Sequence, residues 1–110
     1  MKRKLNMNIC SFTGYLAEDP RISNVNGVSL VEFVLITYTY RKTKSTGEKS
    51  RIPTFLNCEA WHTGGETIKK FARKGSKISV HASARNPGKG EKGIIFRINE
   101  FDFANAGEEE

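Results

Sequence analysis

The spacing of apolar residues in this chain changes once, from the alternation of β-strands to the spacing of an α-helix. This single change limits the folds that the chain can adopt. Strand-like runs rich in apolar and β-branched residues cover 8–16, 30–41 and 54–61. Ile68, Phe71 and Ala72 then follow at i, i+3 and i+4, the spacing of one face of an α-helix. Strand alternation returns over 77–84, and a fifth run covers 94–103. The order of elements is therefore three strands, one helix and two strands.

This order predicts an all-β protein: a five-stranded Greek-key barrel of the OB type with one α-helix between strands 3 and 4. An SH3-like barrel or an open meander would fit the strands, but neither expects a helix at that point. Thr63 and Glu66 have the spacing of a capping box, which predicts the helix start, and Gly75 predicts its end. We divide the 110 residues into a basic N-terminal extension (1–7), one barrel domain (8–104) and a short acidic end (105–110).

The chain is basic, with 18 Lys and Arg against 12 Asp and Glu and a formal net charge of +6. Three of the acids are Glu108, Glu109 and Glu110, so the chain without these three residues carries a formal net charge of +9. Such a surface attracts polyanions, although charge alone does not separate DNA from RNA, heparin or a membrane. No apolar run approaches the length of a membrane span, and no apolar segment follows the basic first four residues as in a signal peptide. We therefore expect a cytoplasmic protein without membrane contact.

Little in the sequence points to catalysis or to a cofactor. Cys10 and Cys58 are too far apart for a CxxC metal site, and both are predicted to be core residues with free thiols. No Ser/His/Asp or Cys/His arrangement and no phosphate-binding glycine loop is visible. Asp19, Glu100 and Asp102 could be imagined as the magnesium site of a small nuclease, but nothing in the sequence brings them together. We expect a protein that is not an enzyme and holds no metal or other cofactor.

The third strand carries the strongest functional signal. Successive side chains of a strand point to opposite faces, so Leu56, Cys58 and Ala60 share one small apolar face. The opposite face combines two large rings with an amide and a carboxylate: Phe55, Asn57, Glu59 and Trp61. Such rings could pack under a loop or in a subunit interface, but in a basic protein they are typical of a platform that stacks the bases of single-stranded nucleic acid. The pattern predicts stacking by Phe55 and Trp61 and a polar base contact by Asn57.

The chain resembles the bacterial-type single-stranded-DNA-binding proteins from about residue 8 to residue 103. Five segments carry the resemblance, in the right order and at the right separations. They are Asn8-x5-Gly14-x-Leu16-x2-Asp19-Pro20, then Gly27 with Phe33 and Leu35, then Thr46-Gly47-Glu48, then Phe55-Leu-Asn-Cys-x-x-Trp61, and finally Phe71-x-x-Lys74-Gly75. Each segment is weak alone, whereas the ordered set is fairly specific.

This resemblance implies an OB fold that binds single-stranded DNA without strong sequence preference and protects it during replication, recombination or repair. It assigns stacking roles to Phe55 and Trp61. The family's aromatic residue in the second strand falls at Arg41, or at Tyr40 after a one-residue slip, and we favour Tyr40 with Tyr38 on the same face. The resemblance also implies a homo-oligomer, with a tetramer favoured and a dimer possible, at the nucleoid of the cytoplasm.

The sequence departs from this family in two places. The family usually carries a further stacking aromatic between its last two strands, whereas residues 85–93 contain none. The family also has a long tail that ends in an acidic tip with terminal hydrophobic residues, which recruit replication and repair enzymes. Here the last residues, 107–110, are acidic without an apolar terminus, so the resemblance does not extend to recruitment of replication or repair proteins.

Basic residues cluster in the two long loops that would flank the stacking rings. We expect these side chains to contact phosphates, because they would lie on either side of the bases. They are Arg41, Lys42, Lys44, Lys49, Arg51, Arg85, Lys89 and Lys92.

Two other functions stay open at this point. A short replication-restart adaptor of the primosomal OB type would bind protein partners as well as DNA. An RNA chaperone of the cold-shock type would bind RNA with an affinity comparable to that for DNA.

Overall fold

The computed structural model describes residues 5–104, and within this range the chain forms six strands and one helix. In chain order these are β1 (Cys10–Leu16), β2 (Arg21–Val25), β3 (Val28–Lys42), β4 (Lys49–Trp61), α1 (His62–Phe71), β5 (Lys77–Arg85) and β6 (Ile95–Phe103). Five strands close a barrel in the order β1-β5-β6-β4-β3, with β3 returning to pair with β1. This topology confirms the predicted five-stranded OB-type barrel. The first four residues of the predicted extension and the acidic end, 105–110, lie outside the described residues.

β2 is the strand that the sequence analysis missed. It forms a hairpin with β3 through Asn26 and Gly27, whose φ angles of 52° and 83° are those of a tight hairpin turn. The Oδ1 atom of Asn24 accepts a hydrogen bond of 2.8 Å from the backbone N–H of Gly27. All residues of β2 are exposed, so this strand has no buried face and no hydrophobic alternation. Because β2 lies outside the barrel, α1 still occupies the predicted place between the third and fourth barrel strands.

Alternate residues of the barrel strands fill the interior. The inner faces of β3 and β4 pair Val31 with Ala60, Phe33 with Cys58 and Leu35 with Leu56, and all six side chains are buried. The remaining apolar side chains of the core are Leu16, Ile68, Ala72, Ile78 and Val80. Cys58 is a core residue as predicted, and burial raises the pKa of its thiol to about 12, so the thiol stays protonated at neutral pH. The predicted inner face of β4 is therefore confirmed.

The helix begins differently from the prediction. α1 starts at His62, directly after β4, and the preceding Trp61 is extended and caps no amide with its side chain. The chain turns sharply at His62, which has a φ of 61°. Thr63 therefore lies inside the first turn, and Glu66 accepts a hydrogen bond of 2.6 Å from Ser29 Oγ. The predicted capping box is wrong, because Thr63 lies within the helix instead of before it and Glu66 bonds to Ser29.

The end of the helix also differs in detail. α1 ends at Phe71, whose side chain is 60% exposed, so only Ile68 and Ala72 of the predicted apolar face are buried. Gly75 lies beyond the helix in the turn before β5, with a φ of 91° that favours glycine. Its N–H donates to the carbonyl of Leu16 at 2.9 Å, which ties this turn to the end of β1.

Several residues of the opening segment hold β1 in the barrel. The side-chain amide of Asn8 donates to the carbonyl of Ala84 and accepts from its N–H, both at 2.8 Å, and so continues the ladder between β1 and β5. Gly14 lies where β1 crosses to β3, and a Cβ atom there would collide with the carbonyl of Ile36. Asp19 accepts a hydrogen bond of 2.7 Å from the N–H of Lys74. These contacts give a structural reason for the asparagine, glycine and aspartate at these positions.

Candidate nucleic-acid interface

The hairpin of β3 and β4 extends beyond the barrel. β3 pairs with β1 only up to Ile36, and β4 pairs with β6 only at Cys58 and Glu59. Residues 37–54 therefore belong to two strands that pair only with each other, and we call this segment the arm. Its tip, 43–48, is closed by hydrogen bonds between the backbones of Thr43 and Glu48 and of Thr43 and Gly47.

One face of this hairpin carries all four predicted stacking residues. On β3 the residues Val31, Phe33 and Leu35 point inward, so the alternate positions that include Tyr38 and Tyr40 belong to the outer face. On β4 the outer face carries Phe55, Asn57, Glu59 and Trp61. Across the two strands, Ile36 lies opposite Phe55, Tyr38 opposite Pro53 and Tyr40 opposite Arg51. The structure thus brings the four rings to one surface.

The rings on this surface differ in what they offer to a ligand. Tyr40 is 68% exposed and Phe55 is 62% exposed, so both present open ring faces. Tyr38 is half-buried, and the guanidinium of Arg51 lies over its ring, 4.1 Å from the ring centre. One face of Tyr38 is therefore already occupied by a cation in the free protein.

Trp61 is more enclosed than the sequence analysis expected. It lies half-buried at the junction of β4 and α1, in a shallow depression that it shares with His62 and Arg97. Its Nε1 atom is buried and makes no hydrogen bond of acceptable geometry, although it lies near enough to Glu59 to help lower the pKa of that carboxyl. Trp61 is thus not a residue of the hydrophobic core, although part of its ring is covered.

Glu59 lies between the two rings of β4, and it is buried rather than open. Its side chain is 2% exposed because two arginines cover it. Arg85 donates from Nε at 2.6 Å and from Nη2 at 2.7 Å, and Arg97 donates from Nε at 3.2 Å. The hydrogen bond from Arg85 is the main reason why the pKa of Glu59 lies below its usual value, and it outweighs the opposing effect of burial. Glu59 is therefore ionised at neutral pH.

Arg97 is a residue of this surface that the sequence analysis missed. It lies on β6 level with Glu59, because β4 and β6 run parallel with Glu59 in register with Arg97. A carboxylate in the middle of a barrel strand needs a partner when it is buried. In an OB barrel the last strand runs beside the third, so the basic residue of the fifth run was a signal that could have identified this partner.

Arg85 and the loop after it lie over the same face. Besides its two bonds to Glu59, Arg85 donates from Nη1 to the carbonyls of Asn86 and Pro87, at 2.8 and 3.3 Å. These bonds occupy most of its donors, so its predicted phosphate contact stays a prediction. Residues 87, 93 and 94 of the loop line a cleft together with Asn57. Lys89 and Lys92 are exposed in this loop.

The basic residues of the arm are all exposed, but they do not all share one face. Lys42 lies opposite Lys49, next to the Tyr40–Arg51 pair, so Lys42, Lys49 and Arg51 belong to the face of the rings. Arg41 lies opposite Ser50 and belongs to the other face by strand alternation. Lys44 lies in the tip.

The described residues, 5–104, offer little for other kinds of site. No group of three or more His, Cys, Asp or Glu side chains that could hold a metal ion is found there. Asp19 is held by the Lys74 amide, whereas Glu100 and Asp102 lie on β6. No helix in this range is long and apolar enough to cross a membrane.

Comparison with protein families identifies the family of this chain. Residues 7–92 match the model of the Single-strand binding protein family. The chain belongs to this family. The matched range includes the arm, both rings of β4 and the helix, and the resemblance stated from the sequence is thereby confirmed. A search of curated protein sequences finds no match.

Solved structures of single-stranded DNA-binding proteins share this fold. A small single-stranded DNA-binding protein from Streptomyces coelicolor has a TM-score of 0.76 and 12% identity, covering 94% of this chain and 98% of that one. The Plasmodium falciparum SSB in complex with single-stranded DNA has a TM-score of 0.74 and 21% identity, covering 94% of this chain and 100% of that one.

A deletion variant of the single-stranded DNA binding protein from Thermus aquaticus has a TM-score of 0.75 and 20% identity. The match covers 90% of this chain and 51% of that one, so this chain spans about half the length of the Thermus protein. At these identities the three structures show a shared fold.

Proposed function

We propose that this protein binds single-stranded DNA without strong sequence preference and protects it during replication, recombination or repair. The observation that carries the proposal is the outer face of β3 and β4, on which exposed rings lie beside basic side chains. Family membership supports the same function. Binding of this kind needs no catalytic step and no cofactor, and it would place the protein at the nucleoid of the cytoplasm.

Binding would combine the stacking of bases on aromatic rings with the neutralisation of phosphates by basic side chains. Tyr40 and Phe55 offer open ring faces to bases, and such stacking accepts every base because each base has a π-face. Lys42, Lys49 and Arg51 lie on the same face and would neutralise phosphates along the arm. The exposed Lys89 and Lys92 would extend this basic surface. Arg85 and Arg41 would add positive charge at the margins of the surface. The cleft beside Asn57 gives its amide room for a polar contact with a base edge.

Selection against duplex DNA follows from the same arrangement. Paired bases are stacked on each other and offer no free face to an aromatic side chain, so a duplex gains only the charge component of binding. The separation of the rings supports a path along the strand: Phe55 and Trp61 are six residues apart on β4, about 20 Å at the rise of a strand. These two rings would therefore hold different bases.

We further propose that the protein acts as a homo-oligomer, a tetramer in the first place and a dimer in the second. One OB barrel covers only about 4–16 nucleotides, so protection of a longer strand needs several barrels. In the described part of the chain, β1 pairs with β5 along one edge and meets β3 only at Tyr15 and Leu16. The other edge of Cys10–Gly14 is thus open to a strand of a second copy.

Titration with oligo-dT tests the proposed function. We expect oligo-dT and mixed-sequence single strands to bind with similar affinity, and a duplex of equal length to bind far more weakly. Light scattering with and without oligo-dT measures the oligomeric state. Equal affinity for oligo-dT and its duplex would reject the proposal, equal affinity for RNA would favour the RNA chaperone, and cleavage of the strand in magnesium would show an enzyme.

A further inference from the structure

The cluster of Glu59, Arg85 and Arg97 has an excess of positive charge. One carboxylate accepts hydrogen bonds from two guanidinium groups, so the cluster carries a net charge of +1. A further acid, Glu32, lies opposite Glu59 on β3 and helps raise the pKa of Arg85, after the larger effect of Glu59. Glu32 in turn lies in register with Arg21 of β2. The surroundings therefore do not cancel the excess charge.

The two arginines of this cluster differ in their free donors. Arg85 uses Nε and Nη2 on Glu59 and Nη1 on two loop carbonyls, so every one of its nitrogens is engaged. Arg97 uses only Nε, and its side chain is 50% exposed. Within residues 5–104 its two terminal nitrogens make no hydrogen bond. Arg97 thus presents a fork of donors to solvent, and such a fork matches the geometry of a phosphate.

This fork opens beside the ring of Trp61. Arg97, Trp61 and His62 line one depression of about 340 Å³, a size at the lower end of the range for small-molecule sites. A base stacked on the exposed part of Trp61 would have its own phosphate within reach of Arg97. Glu59 lies beside both groups, since it accepts a hydrogen bond from Arg97 and is near the buried Nε1 atom of the indole.

We infer that Trp61 and Arg97 form a subsite for one nucleotide, in which Trp61 stacks the base, Arg97 binds the phosphate and Glu59 positions both. The inference rests on the proposed binding of single-stranded DNA and adds to it a phosphate contact on β6. Arg97 is then part of the binding surface although it lies outside both basic loops. Arg85 supports the subsite indirectly, because it donates two further hydrogen bonds to Glu59.

The salt dependence of binding separates this role from a purely structural ion cluster. Arg97→Gln keeps a side-chain N–H that can donate to Glu59 but removes the positive charge. We expect this variant to lower the salt slope of oligo-dT binding by about 0.7, the value for one phosphate on a single strand. Arg97→Lys should keep the slope of the unchanged protein. Arg73→Gln is the matched control, since Arg73 is exposed just beyond α1, away from the outer face of β3 and β4, and its loss should leave the slope unchanged.

A second measurement needs no variant. The intact protein is treated with phenylglyoxal, which modifies exposed arginines, in the presence and absence of oligo-dT, and the modified residues are mapped by mass spectrometry. We expect DNA to protect Arg97 at least several-fold and to leave the reactivity of Arg73 unchanged. Equal modification of Arg97 with and without bound DNA, or an unchanged slope in Arg97→Gln, would overturn the subsite alone. Failure of the unchanged protein to bind oligo-dT would instead reject the proposed function on which it rests.

Discussion

The guanidinium of Arg51 lies 4.1 Å from the centre of the Tyr38 ring, on the arm of the β3–β4 hairpin. This stacked pair covers one face of the Tyr38 ring, and it places a basic group on the same outer face of the hairpin. Tyr40 lies two residues nearer the tip of the arm and directly opposite Arg51. Within residues 5–104 no guanidinium covers its ring, which is 68% exposed. The two tyrosines are therefore unequal as stacking residues, even though they share a face.

We predict that Tyr40→Ala weakens binding of oligo-dT more than Tyr38→Ala. The loss at Tyr40 should be about 1–3 kcal/mol, the usual contribution of one stacked base. Tyr40→Phe serves as the control and should retain most of the affinity, because it keeps the ring. Fluorescence anisotropy of a labelled oligonucleotide measures all three variants. A larger loss at Tyr38 would show that Arg51 leaves this ring when DNA binds.

We predict opposite effects for two neighbours on β4. Phe55→Ala removes an exposed ring and should weaken binding by about 1–3 kcal/mol while leaving the free energy of unfolding almost unchanged. Leu56→Ala removes a buried side chain and should lower the free energy of unfolding by about 2–5 kcal/mol. Urea denaturation and oligo-dT titration separate the two. If Phe55→Ala unfolded the protein and Leu56→Ala were silent, the assignment of the strand faces would be inverted.

Trp61 is the only tryptophan of the chain, so its emission reports on one position. We predict that single-stranded DNA quenches this emission and that a duplex of equal length quenches it much less. Trp61→Ala should weaken binding by about 1–3 kcal/mol. Because the ring is half-buried against Glu59 and α1, the substitution should also lower the melting temperature, more than Phe55→Ala does. Quenching by the duplex to the same extent would argue against stacking at Trp61.

The arm should account for part of the salt dependence. Replacing Lys42, Lys44 and Lys49 together by Ala should lower the salt slope by up to about 2, at about 0.7 for each neutralised phosphate on a single strand. A matched triple replacement of Lys69, Lys70 and Lys74, near α1, should change it little. If the salt slope of binding stays unchanged without the three arm lysines, the phosphates would instead contact the loop with Lys89 and Lys92.

Stability should depend on pH through Glu59. Its pKa in the folded protein lies below the unfolded value of about 4.3, so the ion cluster contributes stability that is fully present above that pH. This contribution is lost as the pH falls through the folded pKa. At neutral pH, Glu59→Gln should lower the free energy of unfolding by about 1–3 kcal/mol, because both arginines lose a charged partner but keep access to water.

The test of this pH dependence is urea denaturation at pH 7 and near pH 3. The difference between the unchanged protein and Glu59→Gln should shrink at the lower pH. Glu100→Gln, at an exposed position of β6, is the matched control substitution. A difference that stays constant across this range would mean that the charge of Glu59 does not contribute to stability.

The sequence predicted the barrel because its interior is built from regular alternation. Leu56, Cys58 and Ala60 lie inside as expected, and the helix lies between the third and fourth barrel strands. The outer face was harder to predict, since exposed and buried polar residues look alike in a strand pattern. Nothing local shows that Glu59 is covered, because the arginines that cover it are 26 and 38 residues further along the chain.

Other differences have equally physical causes. β2 was missed because all its side chains are exposed, so its hairpin shows only in the turn residues Asn26 and Gly27. The helix start was misplaced because Thr63 and Glu66 match a local capping pattern, while the tertiary turn at His62 decides where the helix begins.

Gly14 contributes no side chain to the candidate interface, yet it lies against β3 at the point where this strand leaves the barrel. The carbonyl of Ile36 lies against the Cα of this glycine, at the last residue of β3 that still touches β1. A methyl group at position 14 would tilt β3 outward at that point. Because the arm is unsupported from there to its tip, a small tilt at its root would displace Tyr40 more than Tyr38. The direction of the arm thus depends on a residue of β1, which lies outside the arm itself.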